Sequence, residues 1–160
     1  MWLNDGLDEG DILAQKEFSI EINDTAIDIY RKMTQCYLEV LSEIIRLFNK
    51  SIIPRLSQDP EQFIEKWPVR NPEDSKVKWE KPNDGRTLFN YVHDQIRSVS
   101  GIYPYAFIDI NDEQEYEELE KLLEDPKLRF KDLQGKKLIL KRSLYNPEKD
   151  KLKIIDYEVK

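Results

Sequence analysis

Eleven residues near the start, Gly6-Leu7-Asp8-Glu9-Gly10-Asp11-Ile12-Leu13-Ala14-Gln15-Lys16, constrain this chain more than any other stretch. Two glycines bracket a carboxylate, a second carboxylate follows, and an apolar run begins. Glycine lets the backbone turn sharply and approach a ligand closely. A carboxylate between two such turns is placed rather than merely solvated. Taken alone, the pattern also fits an acidic surface turn, so its meaning depends on what surrounds it.

The surroundings read as follows. Met1-Trp2-Leu3 is the tail of an apolar strand. Ile12, Ala14, Phe18, Ile20 and Ile22 alternate loosely with polar residues, the pattern of a half-buried extended segment. Asn23-Asp24-Thr25 supplies short polar side chains for a helix start. Ala26, Ile29, Tyr30, Met33, Tyr37, Val40, Leu41, Ile44 and Phe48 then recur at three- and four-residue steps. They predict one long helix with a broad apolar face, its aromatic members in a core. Should that face lack a partner, association is expected. Residues 51–82 carry Pro54, Pro60, Pro68, Pro72 and Pro82 and read as an irregular surface connector. A second helix is expected over Thr87–Ser98. Strands are expected over Tyr103–Ile110, Lys137–Arg142 and Lys153–Val159. Between the first two of these, Tyr116, Leu119, Leu122 and Leu123 have helical spacing, so residues 111–135 read as an acidic helical insertion closing over the sheet edge, or as a docking surface for a basic partner. The fold class is α+β.

Individual residues narrow the chemistry. Arg70 sits in a turn stiffened by Pro68 and Pro72. Its guanidinium suits carboxylate or phosphate recognition, and it equally suits a local ion pair with Glu73 or Asp74. His93, the one histidine, lies on the second helix and reads as a satisfied helical residue rather than a catalyst. Cys36 has no disulfide partner and falls on the apolar stripe of the long helix, which favours packing over reactivity. No metal site is expected. The net charge of −7 is concentrated between Asp112 and Asp125, where eight carboxylates face Lys121 alone. Such a balance argues against a nucleic-acid partner. No apolar run of about 18 residues exists to span a membrane. The lone cysteine and the acidic, unbasic start fit a cytoplasmic setting.

The glycine-flanked aspartate loop, Asp24-Thr25-Ala26, Gln58-Asp59, Arg70-Asn71-Pro72-Glu73-Asp74-Ser75 with Trp79, Ile96-Arg97 and Tyr103-Pro104-Tyr105-Ala106-Phe107 occur in one order. Together this set resembles the N10-formyltetrahydrofolate-dependent formyltransferases. The resemblance implies the end of a Rossmann-like catalytic domain over residues 1–50, the connector, and a C-terminal subdomain over residues 83–160. It implies that Asp8 orients a histidine and takes up a proton. It also implies that Gly6, Leu7 and Gly10 shape the folate site, and that Arg70 contacts substrate. N10-formyltetrahydrofolate is the implied co-substrate, and the amine of a nucleotide-linked amino sugar the implied acceptor. The alternatives are part of a methionyl-tRNA formyltransferase and a non-catalytic interaction module. The family's Asn-x-His and Ser-Leu-Leu-Pro segments lie before this loop, so the expectation is a C-terminal portion, inactive alone, that pairs with a separate N-terminal half or with a second copy.

Overall fold

The computed structural model describes residues 1–5, 9–59, 68–80, 82–111, 113–123 and 129–160, and these form two compact units. One comprises residues 1–19 and 30–69, the other residues 20–29 and 70–160. The chain is α+β, as its pattern of helical and strand periods requires.

The second unit contains the sheet. Strands β1 (Ala106–Asp109), β2 (Lys137–Asn146) and β3 (Lys151–Val159) pair antiparallel in the order β1-β2-β3. Period-two alternation puts Leu138 and Leu140 of β2, and Leu152 and Ile154 of β3, into one buried layer. The β2–β3 register slips around Lys141, and the Lys141 carbonyl accepts the Ser100 hydroxyl at 2.8 Å. The irregular backbone group is therefore satisfied rather than stranded. Two helices, α2 (Leu88–Arg97) and α3 (Glu113–Leu123), pack on this sheet. Thr87 caps α2 by accepting the Asn90 amide at 3.2 Å. Val92, His93 and Ile96 are the buried face of α2.

Helix α3 confirms the spacing read from Tyr116, Leu119, Leu122 and Leu123, all of which are buried in the common core. It is a structural wall of the unit, with Glu117 and Glu120 on its exposed side. A short helix α4 (Phe130–Leu133), which has no clear period in the sequence, adds Leu133 to the same core. The first strand starts at Ala106 rather than Tyr103, because its ladder with β2 runs only from Ala106 to Asp109, and Tyr103 and Tyr105 are exposed.

The other unit is dominated by one helix. α1 runs over Ala26–Asn49, beginning where the Thr25 amide and hydroxyl both donate to the Asp28 carboxylate, at 3.1 and 2.6 Å. The first turn of α1 belongs to the sheet-containing unit and the rest to this one. None of its residues is fully buried. Met33, Val40, Ile44 and Leu47 are half-buried, whereas Tyr37 is 64% exposed and Tyr30, Leu41 and Phe48 are also exposed. The expectation that the aromatic members of this face lie in a core is thus corrected. Residues 13–21, expected as a half-buried extended segment, carry no strand ladder, and Ile20 and Ile22 are exposed. Among the described residues of this stretch, Ile12 alone bridges, to Leu56. In the connector, a single 3-10 turn over Pro72–Ser75 and isolated bridges at Leu56 and at Lys76, the latter to Phe107, are the regular features among the described residues.

Candidate functional site

Gly6, Leu7 and Asp8 lie outside the described residues, so the site is built here from the groups that flank them. Gly10 is buried, and a Cβ at that position would stand 1.7 Å from the Trp2 carbonyl oxygen. No side chain fits that gap, so the glycine is required by a close approach of two backbones. Hydrogen bonds hold the approach in place. The Trp2 amide donates to the Asp11 carbonyl at 2.8 Å, and Ile12 and Leu56 exchange amide-to-carbonyl bonds at 2.8 and 3.1 Å.

Side chains complete the clamp. The Gln58 amide donates to the Gly10 carbonyl at 2.6 Å. The Trp2 indole donates to the Pro54 carbonyl at 3.1 Å. The Arg55 guanidinium lies 4.6 Å from the centre of the Trp2 ring and 3.7 Å from the Asp11 carboxylate. Residues 54–58 therefore brace Trp2 and residues 10–12. Sequence reasoning marked Gln58 as part of a resemblance without giving it a role. Its signal was a buried-amide partner that only the three-dimensional pairing of residues 12 and 56 reveals.

Arg70 occupies a separate turn in the sheet-containing unit. The Asn71 amide donates to the Asp74 carboxylate at 2.6 Å, which closes the turn and engages that acid. The Arg70 guanidinium instead donates to the Asp74 carbonyl at 3.1 Å and to the Ser75 hydroxyl at 3.3 Å. Ser75 in turn donates to the Pro104 carbonyl at 2.9 Å. Tyr103 lies beneath the guanidinium, 5.9 Å from ring centre to carbon. Among the described residues no ion pair joins Arg70 to Glu73 or Asp74. The guanidinium is exposed but aimed, with one nitrogen fixed by its own turn.

His93 is fully buried. One ring nitrogen lies 2.9 Å from the Ile22 carbonyl and the other 2.8 Å from the Ser143 hydroxyl. A carbonyl only accepts, so Nε2 carries the proton and Nδ1 accepts from Ser143. Burial holds the His93 pKa below its ordinary value, the Ile22 carbonyl opposes that shift, and the nearby Arg97 charge adds to it. This histidine is a neutral structural tie among residue 22, α2 and β2. Cys36 is not in a core. It is half-exposed and lines, with Phe18, Met33 and Val40, an open hollow of about 360 Å³ beside α1. Among the described residues no group of three His, Cys, Asp or Glu side chains is placed to hold a metal. No described helix is long and apolar enough to cross a membrane.

No family model matches the chain. Individual proteins do. A methionyl-tRNA formyltransferase from Listeria innocua is 30% identical over 127 residues, which cover 79% of this chain and 38% of that protein. A methionyl-tRNA formyltransferase from Thermodesulfovibrio yellowstonii is 34% identical over 116 residues, 71% of this chain and 34% of that protein. A cytosolic 10-formyltetrahydrofolate dehydrogenase from Xenopus tropicalis is 30% identical over 114 residues, 71% of this chain and 12% of that protein. The chain thus spans well under half the length of each of these relatives. Because two of the three are named for methionyl-tRNA, acidic net charge is too coarse a reason to set nucleic acid aside. On these matches the chain belongs to the N10-formyltetrahydrofolate-dependent formyltransferase family, corresponding to a C-terminal portion of its proteins.

Proposed function

We propose that these 160 residues contribute the aspartate loop of a formyl-transfer site that uses N10-formyltetrahydrofolate, with residues 1–50 serving as part of the catalytic domain and Arg70 as a substrate contact. The single observation that carries the reading is the clamp on Gly10, in a chain whose relatives are named for formyl transfer and formyltetrahydrofolate. Gly10, two residues after Asp8, is braced at 2.6 Å by Gln58 and closed to any side chain, which supports a fixed anchor beside the aspartate. Fixed geometry is what an acid–base group needs.

The chemistry divides among few groups. A neutral amine attacks the formyl carbon, and the carbonyl oxygen gains charge that a hydrogen-bond donor must stabilise. The bond from the formyl carbon to the folate nitrogen then breaks. The proton lost by the amine reaches that departing nitrogen, with Asp8 as its acceptor on the way. Gly6, Leu7 and Gly10 shape the wall for the folate ring system. The chain's one histidine is His93, tied at both nitrogens. A shuttling histidine therefore comes from polypeptide outside these residues.

For the acceptor, an amine on a nucleotide-linked amino sugar is the first reading, supported by an Arg70 guanidinium aimed from a rigid turn beside Tyr103. Methionyl-tRNA is the second, supported by the relatives' names. The test joins the chain to the N-terminal portion of a related formyltransferase. Tetrahydrofolate release is then followed with a nucleotide-linked 4-amino sugar and with methionyl-tRNA. The expected result is turnover with the amino sugar, lowered about 10²–10⁴-fold by Asp8→Asn. Turnover with methionyl-tRNA alone selects the second reading. Binding of a folded chain to a partner without folate affinity or turnover would instead make it an interaction module.

A further inference from the structure

The peptide that joins Gly10 to Asp11 is tethered more firmly than the path of the chain requires. Hydrogen bonds on either side already fix that path. The Trp2 amide donates to the Asp11 carbonyl, and Ile12 and Leu56 exchange their bonds. None of these sets the plane of the peptide between residues 10 and 11. That plane turns about the Gly10 ψ and Asp11 φ angles, and a glycine leaves its own angle soft. A stiffer residue cannot stand at position 10, because its Cβ would lie 1.7 Å from the Trp2 carbonyl oxygen. The plane therefore needs a hold from elsewhere, and the Gln58 amide supplies it at 2.6 Å.

The direction of that hold is settled by its partners. Gln58 Nε2 faces two acceptors, the Gly10 carbonyl and the Met1 sulfur at 3.4 Å. The nitrogen rather than the oxygen of the side chain is thus on Gly10. A trans peptide sends its C=O and its N–H to opposite sides, and no cis bond occurs among the described residues. With the Gly10 carbonyl turned to Gln58, the Asp11 N–H is turned away from it. Asp11 is half-exposed, and among the described residues its N–H has no acceptor. A side chain from 48 residues away thus orients a donor that the described residues do not use.

We propose that Gln58 is a positioning residue of the folate wall, whose grip on the Gly10 carbonyl presents the Asp11 N–H to a carbonyl oxygen or ring nitrogen of the pteridine. The inference rests on the reading of Gly10 as part of that wall. It uses the Asp11 backbone, since the Asp11 carboxylate is engaged 3.7 Å from Arg55. A donor held in place before the ligand arrives binds without an ordering cost at that moment.

The test uses the chain joined to the N-terminal portion of a related formyltransferase. The probe is 5-formyltetrahydrofolate, a chemically stable isomer of the formyl donor, followed by calorimetry and amide NMR. The wild type should bind saturably, with a downfield shift of the Asp11 amide, and Gln58→Leu should bind about tenfold more weakly. In turnover, Gln58→Leu should raise KM for the formyl donor and leave kcat largely unchanged, whereas a loss of folded protein would lower kcat. Gln58→Glu keeps the shape of the side chain and serves if the leucine variant does not fold. Ionised, its carboxylate cannot donate to a carbonyl, and protonated it can. Affinity of this variant should therefore improve from pH 7.5 to pH 5.5 relative to the wild type, since a carbonyl neighbour favours the protonated acid. Equal affinity of the wild type and Gln58→Leu, an Asp11 amide that does not shift, or a glutamate variant without that pH dependence overturns the assignment and leaves the folate reading standing. Failure of the wild type to bind the probe overturns the folate reading and this assignment with it.

Discussion

The two units contain helices of equal amphipathic clarity and opposite fate. In the sheet-containing unit, the ten-residue α2 buries Val92, His93 and Ile96 against strands. In the other, the 24-residue α1 buries nothing completely. The difference lies in what each face meets. Residues spaced for one side of a helix specify that a face exists, and only a partner surface converts it into a core. The sheet provides that surface for α2 and α3. Residues 13–19, without a strand ladder, provide much less for α1.

The contrast is broken most directly by truncating one leucine in each region. Leu140→Ala, at a fully buried position, should cost about 2–5 kcal/mol in denaturant unfolding. Leu41→Ala, more than half exposed, should cost no more than about 0.5 kcal/mol. Similar losses at both sites would mean that α1 is covered in solution, by a second copy or another polypeptide. The apolar face would then be a used interface.

A smaller effect sharpens the comparison from the other side. Gly10→Ala forces a Cβ into the Trp2 carbonyl, so the two backbones must part. Overpacking of this kind costs about 1–3 kcal/mol, but the loss should stay local. Hydrogen exchange at Ile12 and Leu56 should accelerate while the amides of β2 keep their protection. Uniform loss of protection throughout the chain would show that the units do not respond separately.

The gentlest probe is pH. His93 titrates lower in the folded chain than its ordinary value of about 6.5, so below that pH the unfolded chain binds the extra proton. Stability should therefore be fully present above about pH 6.5 and decline as pH falls toward the lowered folded value. The slope should reach at most about 1.4 kcal/mol per pH unit. In the sheet-containing unit, unfolding midpoints measured from pH 7 downward should show this decline, and His93→Gln should remove it. An unchanged profile in the variant would assign the decline to carboxylates.

Helix positions were the most legible part of the sequence. Tyr116, Leu119, Leu122 and Leu123 announced α3 through spacing alone, and they are buried together. What spacing could not supply was the depth of burial. Tyr37 and Cys36 sit on the apolar stripe of α1 and still face solvent or a hollow, because burial depends on residues far away in the chain. The alternating run from Ile12 gave no sign that, among the described residues, it would pair only at Ile12, with Leu56. At the candidate site, Gly10 was singled out for backbone freedom, and the particular need is the Trp2 carbonyl. Gln58 and Arg55 carried no local signal of their work, since each acts across the full length of α1.

The bond from Gln58 to Gly10 joins residues 48 apart in sequence. Bringing such distant groups together costs chain entropy that grows slowly with the intervening length, and the 24-residue α1, once helical, takes up half of that length as a rod. The loop's last brace thus depends on helix formation elsewhere. Weakening α1 should therefore loosen the hold of Gln58 on Gly10, although neither residue lies in that helix.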